Sequence, residues 1–244
     1  MALLEGKRVS KSFGGLMALT GVDFELRKGE ILGLIGPNGA GKTTLFNLIT
    51  GAYRPSSGRI AFQGKDISRS RPHAICRYGI ARTYQLVRPF ANLTVLENVL
   101  VGIYFGRGGG RDRREAAYRE AERLLDLVGL GGKIKERAEH LTLMERKRLE
   151  IARALATQPS VLLLDEVIGG LNPTEIVQTM NLIRGLRDRG ITIFMIEHVM
   201  KAIMGLSDRI MVLHHGELIG QGTPEQVAND QRVITAYLGE KAEF

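Results

Sequence analysis

The stretch Gly36-Pro37-Asn38-Gly39-Ala40-Gly41-Lys42-Thr43 decides the fold class, because it fits the phosphate-binding pattern G-x-x-x-x-G-K-[ST]. The apolar run 31–35 precedes it and a helical pattern over 42–50 follows it. Glycines let backbone N–H groups approach phosphate oxygens closely, and the helix N-terminus adds a positive field. We expect Lys42 to reach the terminal phosphates and the Thr43 hydroxyl to hold Mg²⁺. The stretch therefore predicts a nucleotide site rather than a glycine-rich turn.

Further apolar runs and helical patterns alternate along the chain, which indicates an α/β core. The run 161–164 is apolar on both faces, as is typical of a strand buried in a parallel sheet. Predicted strands cover 31–35, 161–164, 191–196 and 210–213. Predicted helices cover 42–50, 113–128, 145–156 and 173–187. Asn172 is predicted to cap the last helix, with Pro173 and Glu175 in its first turn.

Acidic residues at the end of the second strand indicate phosphate chemistry. Asp165 and Glu166 follow the run 161–164, and ligands bind at the carboxyl edge of open α/β sheets. Asp165 is suited to hold Mg²⁺ and Glu166 to polarise the water that attacks the γ-phosphate; the alternative is two solvated loop acids.

Physical reasoning leaves the roles of two further residues open. His198 follows the strand 191–196 at the same expected edge, yet a lone histidine also serves as a cap or a satisfied polar group. Gln85 is either a contact to the γ-phosphate or Mg²⁺ or has no such role.

Composition limits the other classes of function. The 244 residues carry 34 Lys+Arg against 26 Asp+Glu, a net charge of +8, which favours an anionic partner: nucleic acid, a membrane surface or a phosphorylated ligand. The one cysteine excludes a disulfide framework. Without a long apolar run or a signal-peptide pattern, we expect any membrane role to come through a partner. Composition alone does not choose among these three partners. Much of the basic excess lies in 107–123 and 146–148, and only the family resemblance given below, which implies that these residues face a membrane partner, favours an acidic-lipid setting over nucleic acid.

Taken together, these motifs make the chain resemble the ATP-binding subunits of ABC transporters over essentially its whole length. Phe13 matches the aromatic residue that stacks on adenine, and residues 36–43 match the Walker A loop, with Thr44 beside it. Gln85 matches the Q-loop glutamine, which senses γ-phosphate and metal and touches the membrane partner. Asp165 and Glu166 match the Walker B pair, residues 169–172 the D-loop, and His198 the switch histidine.

Within that superfamily the chain most resembles the ATPases of branched-chain amino-acid importers. The stretches that carry this resemblance are Phe13-Gly-Gly-Leu, Thr43-Thr-Leu-Phe-Asn-Leu-Ile-Thr-Gly51, Gly79-Ile-Ala-Arg-Thr, Leu93-Thr-Val-Leu-Glu-Asn-Val99 and Ala236-Tyr-Leu-Gly-Glu240.

The resemblance implies a P-loop NTPase core of the ABC ATPase type, with an antiparallel β portion and an inserted helical subdomain. We expect one domain, 1–244, whose α/β core is 1–87 and 159–244 and whose helical insertion is 88–158. It implies ATP and Mg²⁺, a second ATPase subunit in a hetero- or homodimer, two transmembrane permease subunits and a periplasmic or extracellular solute-binding protein, with no nucleic acid. The expected location is the cytoplasmic face of the bacterial inner membrane.

One segment departs from the family pattern. The signature segment, residues 141–145, should read approximately Leu-Ser-Gly-Gly-Gln, but here it reads Leu141-Thr142-Leu143-Met144-Glu145. In the family this segment binds the γ-phosphate of ATP held by the opposite subunit. Met144 adds bulk and Glu145 adds negative charge where an anion is expected. The prediction is therefore an asymmetric dimer in which the site that uses this segment turns over slowly.

Several alternatives remain open from the sequence. Urea or amide importers and the lipopolysaccharide exporter ATPase share many of these features. A soluble nucleic-acid ABC protein is disfavoured, because the chain has neither a second nucleotide domain nor a coiled-coil or zinc insertion. Lys42, Glu166 and His198 argue against a purely regulatory nucleotide binder.

Overall fold

A computed structural model describes residues 2–84, 89–107 and 114–239, with no description of the side chains of 237–239. Its strands are β1 (Ala2–Phe13), β2 (Leu16–Arg27), β3 (Ile31–Ile35), β4 (Ser57–Phe62), β5 (Lys65–Asp66), β6 (Ile80–Arg82), β7 (Val161–Asp165), β8 (Thr192–Ile196), β9 (Arg209–His214) and β10 (Glu217–Gly222). Its helices are α1 (Lys42–Ile49), α2 (Pro72–Tyr78), α3 (Val95–Phe105), α4 (Arg114–Leu127), α5 (Leu143–Leu155), α6 (Pro173–Asp188), α7 (Met200–Leu206), α8 (Pro224–Ala228) and α9 (Gln231–Gly239).

The central sheet is mainly parallel, in the order β10-β9-β3-β8-β7-β6 within the described ranges. Strands β3, β7 and β8 are buried along their whole length, as their continuous apolar sequences predict. The prediction of an α/β core with parallel strands is therefore confirmed, with strand ends shifted by at most one residue.

Side chains of the central strands alternate between two apolar layers, because successive residues of a strand point to opposite faces. In β7, Leu162 and Leu164 belong to one cluster and Val161 and Leu163 to the other. The first cluster also takes residues from α3 to α7, and the second takes residues from α1, β1, β2 and β4. The central sheet is thus packed between a helical layer and an antiparallel layer.

The antiparallel layer is a second sheet, in the order β2-β1-β4-β5. The antiparallel portion that the family resemblance implies is therefore present. The apolar runs alone did not indicate β1 or β2, because register shifts interrupt their pairing and hence their alternation of apolar and polar residues.

Helix α6 begins as the sequence predicts. Asn172 Oδ1 accepts the N–H of Glu175 at 3.0 Å, the Glu175 carboxylate accepts the N–H of Asn172 at 2.9 Å, and Pro173 lies in the first turn. Helix α5 begins two residues before the predicted start, because Thr142 caps it. Helices α3, α4 and α5, which come after β6 and before β7 in the sequence, pack on one another. That residues 88–158 form a separate subdomain stays a prediction.

The side chains of the basic segment 146–148 bind other parts of the chain. Lys147 is buried, Arg146 donates to the backbone carbonyls of Leu141 and Glu139, and Arg148 donates to Gln178. Lys147 is therefore not available to a lipid surface, whereas the acidic-lipid setting of the remaining basic residues stays a prediction. Across the described ranges, no helix is both long enough and apolar enough to span a bilayer.

Candidate nucleotide site

Neighbouring strands bring the predicted site residues to one edge of the central sheet. Strands β3, β8 and β7 lie side by side and parallel. Residues 36–43 follow β3, His198 lies two residues beyond β8, and Asp165 ends β7. Because the carboxyl ends of parallel strands meet at one edge, this is where a ligand is expected to bind.

Two glycines of the phosphate loop have conformations and surroundings that exclude a side chain. Gly36 has φ +152° and Gly41 has φ +100°. A Cβ atom at Gly36 would lie 2.1 Å from the Leu213 carbonyl oxygen, and one at Gly41 would lie 2.6 Å from that of Ala18. The Lys42 ammonium donates to the carbonyl oxygens of Gly36 and Pro37, at 2.5 and 2.8 Å. The loop is thus wound tightly around its own lysine.

A pocket of about 300 Å³ opens at this loop. The residues that line it are Ala18, Asn38, Gly39, Ala40, Gly41, Lys42, Thr43, Thr44 and Glu166. The structure therefore brings the predicted phosphate-binding residues together with the predicted general base. Ala18, in β2, is a lining residue that the sequence did not indicate.

Asp165, at the end of β7, forms a buried ion pair and is not among the residues that line the pocket. Its Oδ2 accepts from the Arg82 guanidinium at 2.6 Å, and both side chains are nearly inaccessible. Its Oδ1 is buried and accepts no hydrogen bond from the residues that the structure describes. An acceptor in that state suits Mg²⁺ or a water bound to it, because Mg²⁺ prefers oxygen ligands and retains several waters. The buried Asp165 oxygen and the Thr43 hydroxyl in the pocket lining are ligands of the kind that the Mg²⁺ of a nucleotide complex takes. The described residues hold no cluster of three or more His, Cys, Asp or Glu side chains for a protein-only metal site.

Glu166 has a strained backbone and faces His198. Its φ is +51°, in the left-handed region that non-glycine residues rarely adopt. Its Oε2 lies 3.8 Å from Nδ1 of His198, whose side chain is 62% exposed. Glu166 lines the phosphate pocket, whereas His198 is not among the lining residues and reaches the site only through its contact with Glu166.

The sequence reasoning missed two buried residues next to the Glu166 loop, Lys147 and Glu197. The Lys147 ammonium donates to the backbone carbonyls of Glu166 and Gly169 at 2.9 and 2.5 Å. Glu197 is 1% exposed, and its Oε1 accepts the N–H of Ile168 at 2.7 Å. Burial raises the pKa of Glu197 to about 7 and lowers that of Lys147. The helical period could have indicated that Lys147 is buried, because Lys147 lies on the same face of α5 as the buried Ile151 and Ala154.

Phe13 lies at the end of β1 and outside the lining of the phosphate pocket. Its ring is 42% exposed and packs edge-on against Tyr53, with 5.2 Å between centroids. The Lys11 ammonium lies 4.9 Å from the Phe13 centroid. An exposed aromatic face beside a cation suits a nucleotide base. No motif in the sequence indicated Tyr53.

Side chains of the signature segment accept hydrogen bonds from the backbone N–H groups at the start of α5. Thr142 Oγ1 accepts the N–H of Glu145, and the Glu145 carboxylate accepts the N–H of Thr142 at 2.9 Å. Lys133 pairs with the same carboxylate at 3.0 Å. Burial acts to raise the pKa of Glu145, but the bonds from Thr142 and Lys133 outweigh it and leave that pKa below its ordinary value. A carboxylate held at this helix N-terminus opposes the binding of a phosphate there. Gln85 lies outside the described residues.

The fold and the pocket define a nucleotide-binding ATPase of the P-loop class. A family model described as ABC transporter matches residues 19–169, and one described as branched-chain amino acid ATP-binding cassette transporter matches residues 217–243. The chain therefore belongs to the ABC transporter family of ATP-binding proteins, which are ATPases.

Individual relatives are similar along nearly the whole chain. The high-affinity branched-chain amino acid transport ATP-binding protein LivG of Salmonella typhimurium is 43% identical over 240 residues, which cover 93% of this chain and 94% of LivG. BraF of Pseudomonas aeruginosa, of the same description, is 40% identical and covers 98% of each chain. A crystal structure of the ADP conformation of an ATP-binding cassette from an ABC transporter superposes with a TM-score of 0.90 at 32% identity, covering 98% of this chain and 99% of that one.

Proposed function

We propose that this chain is the ATP-hydrolysing subunit of an importer of branched-chain amino acids, at the cytoplasmic face of a bacterial inner membrane. The observation that carries the proposal is the pocket in which Lys42, Thr43 and Glu166 line the same space. The similarity to LivG and BraF, whose names give the solute, supports the finer assignment.

The chain's own groups supply the chemistry of hydrolysis. The N–H groups of the phosphate loop and the Lys42 ammonium bind the phosphates, and the Glu166 carboxylate accepts a proton from the attacking water. His198, beside Glu166, holds the γ-phosphate and that water in line. Thr43 and Asp165 would hold Mg²⁺, which neutralises charge on the phosphates when bound.

The activity is tested by Glu166→Gln, which keeps the size of the side chain and removes the base. We expect its rate of ATP hydrolysis to fall at least about 100-fold, with ATP affinity changed less than about threefold. Glu122→Gln, an exposed acid of α4, is the matched control and should hydrolyse at the wild-type rate. Equal rates in the wild type and Glu166→Gln would refute the role of Glu166.

The membrane partner is proposed to dock in an apolar groove between the two layers. This groove of about 410 Å³ runs between α2 and α3. The apolar residues that line it include Ile75, Val101, Gly102, Phe105 and Tyr84. Phe105 is 75% exposed, which suits a short amphipathic helix of a permease subunit.

The docking proposal is tested by Phe105→Glu in the assembled transporter. We expect less of this variant than of the wild type to co-purify with the two permease subunits, with unchanged ATP affinity. Met17→Glu, an exposed apolar residue of β2 away from the groove, is the control. Full recovery of the complex with Phe105→Glu would exclude this groove as the docking site.

We further propose that the nucleotide dimer is asymmetric. In a dimer with a different ATPase subunit, the site built on this chain's Lys42 and Glu166 hydrolyses ATP, and the site that uses its signature segment binds ATP but turns over slowly. The Glu145 carboxylate supports this, because it puts negative charge where the partner's γ-phosphate would lie. Its contacts with Thr142 and Lys133 hold the carboxylate in that position.

The asymmetry is tested in the heterodimer by single-turnover assays, with the Walker B glutamate of each subunit changed to glutamine in turn. Silencing Glu166 should remove most of the activity, and silencing the partner's glutamate should remove little. Most activity surviving Glu166→Gln would show that the asymmetry runs the other way.

The solute is tested by transport into vesicles that contain the complete complex and its solute-binding protein. Leucine uptake that depends on ATP supports the proposal. Uptake of urea without leucine, or ATP-driven release of lipopolysaccharide, would assign the chain to one of the related systems instead.

A further inference from the structure

Lys147 donates hydrogen bonds from its ammonium to backbone atoms of the catalytic loop and is largely shielded from solvent. It lies on α5, which begins inside the signature segment, and only 8% of the residue is exposed. Its ammonium donates to the carbonyl oxygens of Glu166 and Gly169, which lie at the start and in the middle of the loop between β7 and α6. One side chain thus joins the signature helix to two points of the loop that carries the general base.

The loop that Lys147 holds needs such support. Glu166 has a left-handed backbone, which costs free energy unless surrounding contacts enforce it. The N–H of Glu166 donates to Ile196 at 2.9 Å and the N–H of Ile168 donates to Glu197, so β8 supports one side of the loop. Lys147 supplies the contacts from the helical layer on the other side.

The charges around Lys147 keep the contact in place. Burial lowers the pKa of its ammonium, while the charges of Glu197, Glu166 and Glu150 oppose that shift. Two backbone carbonyls accept hydrogen bonds from the ammonium. A neutral side chain of the same length would leave both carbonyls without this donor.

We propose that Lys147 is a positioning residue that fastens the Glu166–Gly169 loop to α5, so that the signature segment and the general base of one chain move as a unit. The inference rests on the proposed role of Glu166. A dimer partner that displaces the signature segment would then also displace Glu166, which couples the two nucleotide sites through a single side chain.

The test compares Lys147→Met, Lys147→Arg and the control Arg148→Met in the full chain and in the transporter complex. Methionine keeps the length of the lysine without its donor, and arginine keeps charge and donors. Arg148 is the adjacent cation of α5 and donates to Gln178 rather than to the loop. We expect Lys147→Met to lower kcat at least about tenfold, with the KM for ATP changed less than twofold. Lys147→Arg should recover most of kcat, and Arg148→Met should match the wild type.

Hydrogen exchange provides a readout that does not depend on turnover. In Lys147→Met, amides of residues 166–170 should exchange at least about tenfold faster, while those of residues 36–43 keep the wild-type rate. Unchanged exchange in the loop, a KM that rises with the fall in kcat, or no rescue by arginine would each overturn the proposal. If the wild type does not hydrolyse ATP, the proposed function fails while the exchange result still decides the role of Lys147.

Discussion

Arg82 and Asp165 illustrate how much depends on single residues at this site. Both side chains are almost completely buried, and besides Asp165 the guanidinium donates to Asn47 at 2.7 Å. A buried ion pair contributes little net stability, but removal of one member leaves an uncompensated charge. Arg82 thus joins β6, α1 and the acid at the end of β7.

Arg82→Met should therefore destabilise the chain by about 3 to 5 kcal/mol, because Asp165 is left charged and unpaired. Arg82→Met with Asp165→Asn should recover much of that loss, since the second change removes the stranded charge. Urea unfolding measures both. Arg232→Met breaks an exposed pair with Asp230 and should cost much less than Arg82→Met, because solvent screens an exposed pair. Equal losses in Arg82→Met and Arg232→Met would contradict this account.

Glu197 should make the stability of the chain depend on pH. Its pKa is about 7 in the folded chain against 4.5 for the free group, because of burial. The carboxyl therefore favours the folded state fully below pH 4.5, and this contribution is lost as the pH rises to about 7. Lys147, Glu166 and His198 are the charged or titratable groups around it.

Glu197→Gln does not titrate, so it should gain about 2 to 3 kcal/mol relative to the wild type between pH 5 and pH 8. Urea unfolding at the two pH values measures the difference. Glu122→Gln, at an exposed site, should show no such change. A Glu197→Gln difference that is the same at both pH values would show that this carboxyl titrates normally.

At the scale of elements, the helix starts show which features a sequence can predict. The start of α6 was predicted correctly, because it depends on the side chains of Asn172, Pro173 and Glu175, which the sequence shows directly. The contact of Lys147 is different, because its acceptors are backbone carbonyls that every residue has. The meeting of Lys42, Thr43 and Glu166 at one edge of the sheet could be predicted, because these residues follow the carboxyl ends of predicted parallel strands. The Arg82–Asp165 pair could not, because it joins residues 83 positions apart that no motif connects.

Substitutions of Asn172, which also matches a D-loop position, test whether this residue caps α6. Asn172→Ala should lower the free energy of unfolding by about 1 kcal/mol, because the N–H of Glu175 loses its acceptor. Asn172→Asp also caps and should stay within a few tenths of a kcal/mol of the wild type. Asn181→Ala, on the exposed face of the same helix, is the control and should not destabilise, since alanine favours helix. Asn172→Ala at wild-type stability would mean that the cap contributes nothing.

At the scale of the whole molecule, the site lies where the two layers meet the central sheet. The phosphate loop continues into α1 of the antiparallel side, and Glu166 is held through Lys147 from the helical side. Both layers share β3, β7 and β8, whose alternate side chains pack into each. A ligand that bridges the loop and Glu166 therefore stabilises contacts of both layers at once.

Nucleotide binding should accordingly raise the unfolding temperature of the chain in a single transition. At an ADP concentration 100 times its Kd, the gain is about 2.7 kcal/mol, or roughly 5 to 10 °C for a chain of this size. Lys42→Ala should lose most of this shift, because the ammonium that binds the phosphates is gone, while Lys201→Ala, an exposed lysine of α7, should keep it. Calorimetry with and without ADP measures the shift. Two separate transitions, only one of them moved by ADP, would show that the layers unfold independently and that the shared sheet does not couple them.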